Sequence, residues 1–341
     1  MSRAVFLLLC LVVYTASYST QPRMNTLLVS TTVDAASVNI CSNLLDRYAD
    51  SWQLVVSSEK SNKIYCCDDY DGNKIYLWIQ HNPLLNLNFC DELFEEELNI
   101  GNDIISEVLF LSKHTAASGK ASLTVHPIGI PQGLDSGGFI GRASPPSTFI
   151  SSLYRAIYDE VNLKNLPFEI THEATHHGPY LNRPTCFVEI GSTESNWNDR
   201  DAGISWSDII MKTLTARKNE KVQPKFVVCS IGGGHYVPKI NDICRIGNEI
   251  AIGHMLASYT LQSFFEEGCT NPLGYQEIIG EIIQSTRVTY RDTEIIVFLD
   301  KKAFTAVNRN AIITFVNTLG INKIFHSVSD VKKLYECNVN V

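Results

Sequence analysis

No two cysteines in this chain stand in C-x-x-C spacing, and the ten present fall without pattern along 341 residues. Loss of Cys10 with an N-terminal leader leaves an odd number. Such a set argues against a disulfide framework and against a cysteine zinc site. No G-x-S-x-G elbow occurs, so the serine nucleophile of the α/β-hydrolases is absent. The glycine run at Gly232 is not followed by Lys-Ser/Thr and is neither a P-loop nor G-x-G-x-x-G. Positive charge is in deficit, with a net charge of -8. That excludes a generic nucleic-acid binder, whose affinity comes from clustered Lys and Arg. Internal repeats and linkers are missing, and past the leader no apolar segment is long enough to cross a bilayer.

What is there is an ordinary globular composition, 45% hydrophobic and 19% charged. A chain of this length buries a sizeable core without staples. Residues 1–23 have a basic start, an apolar run from Ala4 to Tyr14 and small residues after it, the pattern of a secretory signal peptide. The leader implies entry into the secretory route or an organelle reached through it. A start at Met24 instead gives a cytoplasmic protein. Residues 24–341 read as a single domain.

Strand and helix patterns alternate along that domain. Leu27–Ser30, Trp52–Val56, Ile75–Ile79, Ile104–Ser112, Leu123–His126, Phe168–Thr171, Thr185–Ile190, Phe226–Ser230, Glu294–Leu299 and Lys323–Ser327 read as strands. Helical spacing follows Asp34, an N-cap residue, and recurs over 148–160, 193–217, 275–285 and 303–319. Gly203 is the expected weak point of the 193–217 helix, and Gly129–Pro146 is a long loop. The alternation predicts an α/β fold with a mixed, largely parallel sheet and helices on both faces. Polar motifs recur at strand C-terminal ends, where open α/β sheets bind ligands.

Two stretches carry chemistry. Glu173-Ala174-Thr175-His176-His177-Gly178-Pro179 packs a carboxylate and two imidazoles into five residues. Gly232-Gly233-Gly234-His235 closes a strand with three glycines and an imidazole. His172-Glu173-x-x-His176 matches the zinc-peptidase signature, which needs a helix to align both histidines. Here a strand pattern leads in and Gly178-Pro179 follows, so that helix is not expected. Glu173, His176 and His177 suit either metal binding or a general-base and orienting role. Glycine amides after a strand suit a carbonyl or phosphate. His114, His126 and His254 are further candidates, whereas Cys186 and Cys229 read as buried, inert thiols.

These two stretches, with Leu28 to Ile40, Leu109 to Ala116, Leu123 to Gly129 and Pro184 to Glu194, resemble the archaeal- and plant-type D-aminoacyl-tRNA deacylases. The resemblance runs from about Thr26 to the C-terminus. It implies hydrolysis of the ester joining a D-amino acid to the terminal ribose of tRNA, zinc as cofactor, and a fold like peptidyl-tRNA hydrolases and phosphorylases. It also implies Glu173, His176, His177 and His235 around the scissile ester. Those four are the expected metal set, joined by His126 and His254. Lys113, His114, the Gly232–Gly234 amides and Lys239 are expected to hold the acceptor CCA end. A zinc peptidase and a non-catalytic aminoacyl-tRNA-binding protein are the competing readings.

Overall fold

The computed structural model describes residues 24–57, 62–100, 104–131, 134–216, 223–265 and 274–339. The leader read over residues 1–23 lies outside them.

The first half builds a sheet whose central strands, Asn25–Thr31, Ile105–Lys113, Ser122–His126 and Thr185–Gly191, are buried on both faces. Its elements are β1 (Asn25–Thr31), α1 (Ala35–Arg47), β2 (Gln53–Ser57), β3 (Lys63–Asp68), β4 (Lys74–Gln80), α2 (Cys90–Leu98), β5 (Ile105–Lys113), β6 (Ser122–His126), α3 (Ile150–Lys164), β7 (Glu169–His172) and β8 (Thr185–Gly191). The strand order is β2-β3-β4-β1-β5-β8-β6-β7. Pairing is parallel except at β2–β3, β3–β4 and β6–β8. Alternate residues of β1 enter different cores. Leu28 packs in one cluster with Ile40 of α1, while Leu27 and Val29 pack in another with Phe94 of α2. Each such side chain, fully buried, contributes about 1.5–3 kcal/mol. Asp34 caps α1 by accepting from Ser37 N–H, as its sequence position predicts.

The second half continues with α4 (Glu194–Trp197), α5 (Arg200–Thr215), β9 (Phe226–Ile231), α6 (Pro238–Cys244), β10 (Ile250–Leu256), α7 (Ser258–Gln262), α8 (Tyr275–Thr289), β11 (Glu294–Leu299), α9 (Ala306–Thr318), β12 (Ile324–Phe325) and α10 (Val328–Val339). A four-stranded parallel sheet results, in order β10-β9-β11-β12. Phe226 and Val228 of β9 share the larger core with Leu28 and Val188, so one apolar cluster spans both sheets. The α/β class, with mixed, largely parallel strands and helices, is as predicted.

Two details differ from the sequence reading. The helix expected over 193–217 is two helices, α4 and α5, because Asp199 starts a new one by capping Ala202 N–H; Arg217 lies outside the described residues. Gly203 is no weak point. It sits inside α5 against α1, where an added Cβ would lie 2.1 Å from Asn39 Oδ1. In α2, Asp91 and Glu95 are buried, and Glu95 accepts from the Ile104 and Ile105 amides.

Candidate active site

The floor of the site is set by the two-residue period of β8. Phe187 and Glu189 point to one side, and β6 runs antiparallel so that His126 stands opposite Phe187 and Thr124 opposite Glu189. Phe187 stacks on the His126 ring and meets His177 edge-on, with centroids 5.5 and 4.9 Å away. β5, parallel to β8, ends at Lys113 and delivers His114 to the same edge. Gly191 lets that imidazole in, since a Cβ there would be 2.7 Å from His114 Cδ2.

The segment after β7 then crosses to the second sheet. Ala174 N–H donates to His235 O at 2.7 Å, and Thr175 N–H donates to Met255 O at 2.7 Å. Met255 N–H returns a bond to Thr175 Oγ1 at 3.0 Å. These bonds set Glu173-His176-His177 against the loop that follows β9. That loop turns through Gly232 and Gly233, both near φ +95°, where only glycine is unstrained. His177 is itself left-handed at φ +43°, a strain of about 1–3 kcal/mol that recurs at functional sites.

Glu173 is fully buried between two imidazoles. His235 Nε2 lies 2.7 Å from its Oε2, and His114 Nδ1 lies 3.1 Å from its Oε1. The second contact is off the line of a hydrogen bond, so Oε1 lacks a donor. Tyrosines extend the row outward, with Tyr236 Oη 2.9 Å from His114 Nε2 and Tyr259 Oη 3.2 Å from His235 Nδ1. Burial pushes the Glu173 carboxyl up, but contacts with His114 and His235 outweigh it and hold the group well below its usual range. Burial pulls both histidines down, yet the adjoining carboxylate raises each above its ordinary value. Glu189, buried and 3.6 Å from His126 Nε2, goes the other way: burial and the Glu173 charge push it well up. The two neighbouring carboxyls are thus shifted in opposite directions.

A second cluster adjoins the first. His126, His176 and His177 each turn Nδ1 to a backbone carbonyl: Pro127 at 3.2 Å, Ala174 at 2.8 Å and Gly178 at 2.6 Å. That fixes the proton on Nδ1 and leaves three Nε2 lone pairs. One nitrogen from each ring lies within 4.8 Å of the others. The buried His126 Nε2 has no hydrogen-bond partner. Burial keeps all three rings neutral, with His126 pulled down to about 4 and His177 to about 3. Neutral imidazoles oriented through the far nitrogen are the donor set a zinc ion takes, so these residues fit that cofactor. His114, Glu173 and His235 form another convergent group.

The other predicted residues divide. Cys186 and Cys229 are fully buried. His254, expected near the metal, has Nδ1 on Thr175 Oγ1 and Nε2 on Ser144 O, both at 3.0 Å, leaving no lone pair to offer. His172 stacks on Tyr154 with centroids 4.0 Å apart and binds Asn241, as strand alternation turns it away from Glu173. The zinc-peptidase pattern is therefore not assembled. Lys239 is paired with Asp300 at 2.8 Å, whereas Lys113 is exposed over the Trp197 ring. Gly232 N–H is spent on Leu256 O, but the Gly233 and Gly234 amides meet no partner among the described residues. Sequence alone does not single out Glu189, Tyr236 and Tyr259 as site residues. A lone Glu inside the apolar run Cys186-Phe187-Val188-Glu189-Ile190 was the available signal.

Comparison with known proteins agrees with this architecture. Residues 102–324 match the family model described as D-aminoacyl-tRNA deacylase. A D-aminoacyl-tRNA deacylase of Arabidopsis thaliana is 34% identical over 322 residues, covering 88% of this chain and 98% of that protein. One from Pyrococcus furiosus is 29% identical over 239 residues, covering 68% and 80%. The crystal structure of a conserved protein of unknown function superposes with TM-score 0.73 at 24% identity, over 92% of this chain and 98% of the other, and so shares the fold. With a family model over more than half its length and a full-length relative above 30% identity, this chain belongs to the D-aminoacyl-tRNA deacylase family.

Proposed function

We propose that this protein hydrolyses D-aminoacyl-tRNA, cleaving the ester between the amino acid and the terminal ribose to release free D-amino acid and tRNA. The observation that carries this is Glu173 fixed between His114 and His235, beside the three-imidazole cluster. An aminoacyl ester is already activated, so no covalent nucleophile is required. Glu173 orients His235 through Nε2, which leaves Nδ1 at the rim beside Tyr259. There the imidazole takes a proton from the attacking water and returns it to the departing ribose oxygen. A side chain 30% exposed is accessible enough for that transfer. The Gly233 and Gly234 amides are donors for the carbonyl oxygen as it becomes an oxyanion.

We assign His126, His176 and His177 as the residues that hold zinc. When bound, zinc polarises a carbonyl and lowers the pKa of a water. Lys113 on Trp197, at the edge of the same site, is the contact for an acceptor-end phosphate. Lys239 can take that role only by leaving Asp300.

The experiment is release of amino acid from D-Tyr-tRNA and L-Tyr-tRNA, with and without a chelator. Fast release from the D-substrate alone is expected. Release from neither substrate overturns the reading, and equal release from both overturns its chiral part.

A further inference from the structure

The 134–146 segment does more than close a loop. Gly178 N–H donates to Ser136 O at 2.7 Å, and Gly138 packs so close to Gly178 that a Cβ on the latter would lie 2.2 Å from Gly138 N. The segment is thus fastened to the backbone that carries His176 and His177. Just beyond, three rings meet edge-on or tilted: Phe139 lies 5.4 Å from Tyr180 and 5.9 Å from Phe89, and Phe89 lies 5.6 Å from Tyr180. The Arg142 guanidinium covers Tyr180 at 5.3 Å. Phe139 is nevertheless 43% exposed and its neighbour Ile140 54% exposed.

Resting on the deacylase reading, we propose that this aromatic ledge is the stacking platform for the terminal adenine of the acceptor end. Tyr180 is three residues past His177, so the ledge begins within about 11 Å of the histidine cluster, the reach of three residues. A single-stranded end whose ester sits at that cluster must place its last base on a nearby wall. Every base has a π face, and aromatic rings with an adjacent arginine are the surface that stacks single-stranded nucleotides without reading a groove. The ledge lies against the loop that carries His176 and His177, as Gly178 N–H on Ser136 O shows, which favours the substrate's own end as its occupant. In Phe139 and Ile140 the ledge offers two exposed apolar side chains.

The test is steady-state deacylation by Phe139→Ala and Phe139→Leu, with binding of uncharged acceptor-stem RNA ending in CCA or in CC. Phe139→Leu keeps the apolar anchor of the loop and removes the ring, which separates stacking from loop support. A rise in KM of about tenfold for both variants is expected, with kcat little changed and rescue by Phe139→Trp. Wild-type protein should prefer CCA over CC, and both variants should lose that preference. Unchanged KM, an unchanged preference for CCA, or an effect seen with D-Tyr-tRNA but not D-Ala-tRNA overturns the proposal. The last result would mean the ledge reads the amino acid. If the wild type releases nothing from any aminoacyl-tRNA, the deacylase reading fails, and the RNA-binding arms still decide the ledge.

Discussion

His235 meets Glu173 through a 2.7 Å contact between residues 62 positions apart in the chain. Each explains the state of the other: the carboxylate stays ionised though fully buried, and the imidazole keeps its proton beyond its ordinary range.

From this pairing, Glu173→Gln and His235→Ala should each lower the rate of D-aminoacyl-tRNA hydrolysis by about 10²–10⁴-fold. The double variant should lose little more than the worse single one, because residues acting as one unit are not additive. Single-turnover rates of all three proteins check this. Independent multiplication of the two losses would separate the residues.

Metal content gives a second test. His126→Ala and His177→Ala should each abolish stoichiometric zinc, measured by elemental analysis of purified protein, and a chelator should lower the Tm of wild type. His254→Gln should retain full zinc, since both nitrogens of His254 already serve Thr175 and Ser144.

His254 carries the pH prediction. Burial pulls it down to about 3, whereas an unfolded chain protonates it near 6.5. Its contribution to stability is complete above pH ~6.5 and declines as pH falls toward the folded value, by about 1.4 kcal/mol per pH unit. His172, likewise pulled down to about 3, adds a second increment of the same sign. Urea midpoints at descending pH should fall steeply. His254→Gln should be less stable at pH 8 by about 1–3 kcal/mol for lost bonds, yet show a shallower slope below pH 6.5.

Packing gives the last test. Gly203→Ala drives a methyl into Asn39, whose Nδ2 holds the carbonyls of Trp197 and Asp199. It should cost about 1–3 kcal/mol. Gly280→Ala in α8, where the nearest atom is 4.0 Å away, should instead stabilise by about 0.5–1 kcal/mol. Denaturant midpoints of both variants compare them directly.

Much of this was legible in sequence because it is local. Continuous apolar runs gave β1, β5, β8 and β9, and Asp34 announced α1. β10 escaped because Gly253 and His254 interrupt its run, although both are interior positions of a fully buried strand. Glu173, His176 and His177 declared themselves by proximity. The company they keep did not, because β6 lies beside β8 in space rather than beside β5. Only that crossing turns His126 from a lone strand-end histidine into the third member of a triplet, and makes Glu189 its neighbour. His254 failed as a metal candidate for the same reason in reverse: its two hydrogen-bond partners come from 79 and 110 residues away.

The bonds from Ala174 and Thr175 to His235 and Met255 mean that the chemistry cannot be inherited by halves. A fragment holding only the larger sheet would keep Glu173, His114 and the imidazole triplet in its sequence. It would leave two amides facing nothing, and a buried carboxylate without its second imidazole. The candidate site is a seam, and closing that seam is the same event as finishing the fold.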